Sequence, residues 1–109
     1  MSSEKEKIQS SWTLKGRNFV VTGGSNGIGL ATVKGLLAND ASGILFCSRS
    51  PCETLVASLK EDYPNVKILH AIVDVSKSEG RSDLVNAAKI GFDSKIHGLV
   101  SFYAFKYIS

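Results

Sequence analysis

Residues 20–30 read VVTGGSNGIGL: an apolar run, then four glycines within seven positions (Gly23, Gly24, Gly27 and Gly29), then apolar residues again. So much backbone freedom directly after a strand-like run marks a turn that another group approaches closely. Three glycine patterns compete for it. A P-loop needs G-x-x-x-x-G-K-[ST]. Gly24 to Gly29 has that glycine spacing, but Leu30 and Ala31 stand where the lysine and the hydroxyl residue belong. Without the lysine there is no charge for the β- and γ-phosphates, and the P-loop fails. The pattern G-x-G-x-x-G fails too, because Gly27 and Gly29 are followed by Thr32. What fits is T-G-x-x-x-G-x-G, at Thr22, Gly23, Gly27 and Gly29.

The residues on either side decide whether this is a turn with or without a ligand. Short runs rich in Val, Ile, Leu and Phe recur at Asn18–Thr22, Gly43–Cys47, Val66–Val73 and His97–Tyr103. They are apolar at nearly every position, as strands covered on both faces are. Between them lie Gly27–Asn39, Pro51–Tyr63 and Glu79–Phe92, each long enough for a helix. Ile28, Ala31, Leu36 and Leu37 mark an apolar face on the first, and Leu84, Val85, Ala88 and Phe92 on the third. Ser50-Pro51-Cys52-Glu53 and Ser76-Lys77-Ser78-Glu79 both match the capping box, with serine at the N-cap and glutamate three residues on. Alternation of strand and helix predicts parallel strands joined by right-handed crossovers. The fold class is therefore α/β, a three-layer Rossmann-type parallel sheet that stops after about the fourth strand, in the order 3-2-1-4.

At 109 residues the chain is expected to hold one partial dinucleotide-binding domain over residues 12–109, with residues 1–11 a flexible polar arm. Thirteen basic and ten acidic residues leave a net charge of +3 with no basic stripe, which speaks against nucleic-acid binding. No apolar stretch reaches about 18 residues, so no membrane span is expected. Cys47 and Cys52 have no metal-ligand spacing and suit a reducing compartment, so the expected location is cytoplasmic. His70 and His97 lie in or beside apolar runs and read as packed or edge histidines, not bases.

The end of the second strand meets an adenosine ribose in folds of this kind, and an acid there accepts the 2′-hydroxyl of NAD. This chain has CSRS at 47–50 with no acid. Arg49, helped by Ser48, suits the 2′-phosphate of NADP(H), so NADP(H) is expected in preference to NAD(H). A charge-assisted pair of this kind contributes about 1.5–3 kcal/mol, or roughly tenfold to a hundredfold between the cofactors. The competing reading of Arg49 is an exposed arginine near a helix start.

The glycine turn, SWTLKGR before it (Trp12, Leu14, Gly16), CSRS, DVS at 74–76 and KIHGLV at 95–100 together resemble the N-terminal part of short-chain dehydrogenases/reductases. Within that family the pattern looks like the tropinone-reductase-like group, by a looser similarity than the glycine motif gives. The resemblance implies a cofactor site made of Gly23, Ser25, Asn26, Gly27, Ile28 and Gly29, with Ser48, Arg49, Asp74 and Val75. Gly23 lets the chain leave the strand sharply, Gly27 leaves room for a pyrophosphate, and Gly29 lets the helix pack closely on the strand. Asp74 accepts from the adenine amine in the family, but serves equally well as a turn residue before Ser76. Asn26 stands where a basic residue is often found.

The resemblance weakens after the fourth strand. The family has Asn-Asn-Ala-Gly there, where this chain has Ser101-Phe102-Tyr103-Ala104. The family's proton donor is the tyrosine of a Tyr-x-x-x-Lys pair on one helix face, with a serine partner. The candidate near the fourth strand, Tyr103 to Lys106, is one residue too short, so no catalytic residue is assigned. Two functions stay open. One is the cofactor-binding half of an NADP(H)-dependent carbonyl/alcohol oxidoreductase that lacks the Ser/Tyr/Lys site. The other is a non-catalytic nucleotide-binding module or inactive product acting through a partner chain. The fourth strand, left as an edge with Leu99, Val100, Phe102 and Tyr103, is expected to favour self-association.

Overall fold

The computed structural model describes residues 13–25 and 27–101. Four parallel strands, β1 (Asn18–Thr22), β2 (Gly43–Ser48), β3 (Lys67–Ile72) and β4 (Gly98–Ser101), form one sheet in the order β3-β2-β1-β4. Three helices cross between them: α1 (Gly27–Ala38), α2 (Glu53–Asp62) and α3 (Ser78–Gly91). The expected doubly wound order is therefore present. The register sets Thr22 beside both Cys47 and Ser101, and Cys47 beside Ala71. All four strands thus end at one level, and the turns that follow them share a rim.

Alternation along the strands sorts the core into two layers. Val21, Ile44, Phe46 and Ile68 pack with Val33 and Leu37 of α1 and Leu59 of α2. Val20, Leu45 and Cys47 pack with Leu84 and Ala88 of α3 and with Phe92 just beyond it. β2 is buried at every position but its last, as the central strand must be. β4 is only half covered, and Leu99 is 66% exposed.

Three local expectations need correction. The inward face of α1 is Gly29, Val33 and Leu37, while Ile28 is 73% exposed and Ala31 is also outside. Val85 likewise points away from the α3 core, which Gly80, Leu84 and Ala88 supply. In both helices the buried stripe follows every fourth residue from a glycine near the start, because that glycine sets which side meets the sheet. Neither capping box forms. Helix α2 begins after Cys52, since the Ser50 carbonyl accepts the Ser48 hydroxyl at 2.7 Å and draws the turn away from a Ser50 cap. Helix α3 begins after Lys77, and the Ser76 hydroxyl donates to Asp74 Oδ1 at 2.5 Å instead of capping it.

The helix ends follow recognisable chemistry. Beyond α1, Asp40 N–H donates to the Leu37 carbonyl and Ala41 N–H to the Leu36 carbonyl, with Asp40 at φ +70°. That is the Schellman pair of bonds, which satisfies two carbonyls the helix leaves open. His97 fastens the start of β4. Its Nδ1 accepts the Asn18 backbone N–H at 2.9 Å, and its backbone N–H donates to the Asn18 carbonyl. It is an edge histidine that sets register. No helix among the described residues is long and apolar enough to cross a membrane.

Candidate functional site

The turns after β1, β2 and β3 enclose a cleft of about 480 Å³. Six expected residues line it together: Gly23 and Ser25 from the first turn, Ser48 and Arg49 from the second, Asp74 and Val75 from the third. The cleft lies beyond the carboxyl ends of the strands, beside β1, where the strand order reverses direction. Open α/β sheets bind their ligands at that place. Gly27 and Ile28 stand outside its lining in the first turn of α1, and Gly29 is buried beneath. Asn26 lies outside the described residues, as do Phe102, Tyr103 and Lys106.

The glycines separate by role. Gly23 takes φ +71° and Gly27 φ +55°, the left-handed region that residues with a side chain seldom occupy. Gly29 is needed for space, since a Cβ there would sit 1.9 Å from the Gly23 carbonyl oxygen. Gly24, which no motif position requires, is also committed to packing. A Cβ on it would lie 2.7 Å from Phe46 Cβ and 3.0 Å from Val33 Cγ2. No acidic residue stands in the first turn of α1 to offset the positive end of its dipole.

In the second turn, Ser48 is held on two sides. Its hydroxyl donates to the Ser50 carbonyl, and its Oγ lies 2.7 Å from His70 Nε2. His70 Nε2 also lies 3.3 Å from Cys52 Sγ, and the ring packs on Phe46 with centroids 4.9 Å apart. Burial pushes the His70 pKa below its ordinary value, favouring the neutral ring. On the other face of β2, burial pushes the Cys47 thiol up, and a hydrogen bond with the Gly23 backbone offsets part of that.

In the third turn, Asp74 Oδ1 accepts both the hydroxyl and the backbone N–H of Ser76. Those bonds, in that order, hold its carboxyl below the usual range, and the charges of Lys77 and Arg49 add to them. Of the two readings of Asp74, the turn-forming one is thus directly present. Arg81 reaches back from α3 to donate to the Val75 carbonyl at 2.9 Å, a tie that the sequence pattern does not signal.

A second cavity, about 260 Å³, lies between α3 and β4. Its walls are mainly apolar, from Val20, Leu84, Val85, Ala88 and Leu99, with Thr22, Arg81 and Ser101 at its border. Tyr63 and Lys67 have the Tyr-x-x-x-Lys spacing as well. This pair cannot act at the cleft. Tyr63 ends α2 and Lys67 opens β3, at the opposite end of the sheet, with no helix to align them. Among the described residues there is no cluster of His, Cys, Asp or Glu that could hold a metal.

Strand order and flanking helices together define a Rossmann-like α/β domain. The family model for short chain dehydrogenases matches residues 17–102, and the chain belongs to that family. A tropinone reductase homologue of Datura stramonium is 32% identical over 90 residues, which span 83% of this chain and 33% of the relative. One from Arabidopsis thaliana is 35% identical over 91 residues, 83% of this chain and 29% of the relative. The chain thus spans about a third of the length of these relatives. Among solved structures, L-sorbose reductase from Gluconobacter frateurii, complexed with NADPH and L-sorbose, superposes with a TM-score of 0.67 at 32% identity. The match covers 74% of this chain and 31% of that one. An NADPH-bound short chain oxidoreductase from Pseudomonas aeruginosa gives 0.69 at 29% identity, covering 73% and 32%.

Proposed function

We propose that this chain binds NADP(H) in preference to NAD(H), as the cofactor-holding part of a carbonyl/alcohol oxidoreductase. One observation carries the reading. Ser48 and Arg49 line the same cleft as Gly23 and Ser25, at the end of a strand that offers no acid to a ribose hydroxyl. The bare turn and the first N–H groups of α1 would take the pyrophosphate, and Arg49 the 2′-phosphate. NADPH in two related structures supports the same assignment. The bound cofactor would supply a hydride. The cleft residues would bind and orient it, and no catalytic proton donor is assigned among them.

The test is thermal unfolding of the chain with NADPH and, separately, with NADH at the same concentration, set at about a hundred times the NADPH dissociation constant. Ligand at about a hundred times its dissociation constant adds roughly 2.7 kcal/mol to the folded state. The expected result is a clear rise with NADPH, a smaller one with NADH, and near-equal shifts in Arg49→Ala. Equal shifts in the wild-type chain, or none, overturn the proposal. Oxidation of NADPH with a small ketone by the chain alone would overturn the view that it holds no active site.

A further inference from the structure

The turn after β2 is not held by the helix cap that its sequence advertises. It is held from below by His70, on the neighbouring strand. His70 pairs in register with Phe46 and packs against its ring at a tilt of 41°, so its Nε2 is brought up beneath residues 48–52. From there Nε2 reaches Ser48 Oγ at 2.7 Å and Cys52 Sγ at 3.3 Å. One ring nitrogen therefore joins both ends of the turn that carries Arg49.

The direction of these bonds follows from counting hydrogens. A serine hydroxyl has one hydrogen, and that of Ser48 goes to the Ser50 carbonyl, which can only accept. The short contact to His70 must then use a hydrogen from the ring. Nε2 is the protonated nitrogen, and it donates into a lone pair of Ser48 Oγ. With that lone pair occupied, an anion arriving from the cleft is best met by the Ser48 hydrogen, swung away from Ser50. A chain of donors then runs from His70 through Ser48 to the anion, each bond polarising the next.

We propose that His70 is a positioning residue for cofactor selectivity: by donating to Ser48, with Nε2 packed against Cys52 Sγ, it fixes the β2–α2 turn so that Ser48 and Arg49 meet a 2′-phosphate. The proposal rests on the NADP(H) reading above. His70 itself is absent from the lining of the cleft and acts through Ser48. NADH has no 2′-phosphate, so its binding is indifferent to the arrangement.

The experiment is equilibrium binding of NADPH and of NADH to the full chain, comparing wild type, His70→Leu and His70→Gln. Leucine fills the space beside Phe46 without a donor; glutamine restores an N–H at similar reach. In His70→Leu the NADPH affinity should fall about fivefold, equivalent to ~1 kcal/mol, with NADH affinity unchanged. In His70→Gln most of the preference should return. If His70→Leu does not unfold cooperatively, His70→Asn replaces it, keeping a polar group but with a shorter reach. Equal losses for both cofactors would mark a purely structural residue and overturn the proposal. So would an unchanged ratio, or a glutamine variant no more selective than the leucine one. If the wild-type chain prefers NADPH, those outcomes count against His70 alone. If it binds neither cofactor, the underlying reading falls and this inference with it.

Discussion

Gly29→Ala and Gly35→Ala are the same substitution in the same helix, and should have opposite signs. In an open helical position alanine is preferred to glycine by about 0.8–1.0 kcal/mol, because glycine loses more backbone freedom on folding. A Cβ at Gly35 meets nothing within 4 Å, so Gly35→Ala should stabilise the chain by nearly that amount. At Gly29 the added carbon would sit 1.9 Å from the Gly23 carbonyl oxygen and 2.7 Å from its carbon. Both are backbone atoms, so no rotamer change relieves the overlap. Reaching even 3.0 Å from the oxygen requires a shift of about 1.1 Å between α1 and the end of β1. Overpacking of this kind costs about 1–3 kcal/mol, and here it must also exceed the helix-propensity gain. The net expectation for Gly29→Ala is a loss of up to about 2 kcal/mol. Urea titration of the three proteins, followed by far-ultraviolet circular dichroism, measures both differences. A Gly29→Ala midpoint equal to or above wild type would refute the idea that close backbone approach is what this glycine provides. A lowered Gly35→Ala midpoint would refute the propensity argument that calibrates it.

Gly80→Ala should behave like Gly29→Ala in the same titration, because its Cβ would lie 1.9 Å from the Asp74 carbonyl oxygen. Asp40→Gly should stabilise by about 0.5–1 kcal/mol, since Asp40 holds the left-handed position of a Schellman cap at φ +70°; its thermal midpoint checks this. Acid should weaken the fold in two windows. The His70 pKa is lowered in the folded chain, so the unfolded chain takes up a proton first as pH drops below about 6.5. Stability is then lost from there down to the folded value, and His70→Gln should flatten the decline between pH 8 and pH 5.5 in urea titrations. Asp74 acts lower. Its depressed pKa contributes stability that is present above about 3.9 and lost as pH falls through the folded value, a loss that Asp74→Asn should abolish.

The order β3-β2-β1-β4 is legible because long apolar runs and right-handed crossovers leave few alternatives. The cleft is legible because the same topology brings three strand ends together, and glycine, serine, Arg49 and Asp74 stand among the residues there. The helix starts are not. Ser50 and Ser76 carry the right letters for capping boxes, yet the Ser50 carbonyl accepts the Ser48 hydroxyl and the Ser76 hydroxyl goes to Asp74, partners that a linear pattern does not weigh. His70 is illegible for a related reason, since its contacts come from strand register and not from sequence neighbours. The most instructive case is Gly80. Gly29 is found because it closes a glycine-rich motif, whereas Gly80 stands alone and draws no notice. Their surroundings are the same: each is the third residue of its helix, six positions after a residue whose carbonyl oxygen lies where its Cβ would be. One crossover packs its helix against Gly23 and the other against Asp74, on opposite faces of the sheet. The close approach is therefore a property of how the helix seats on the strand end in both units. The motif marks only the one in which the turn must also stay bare for a ligand.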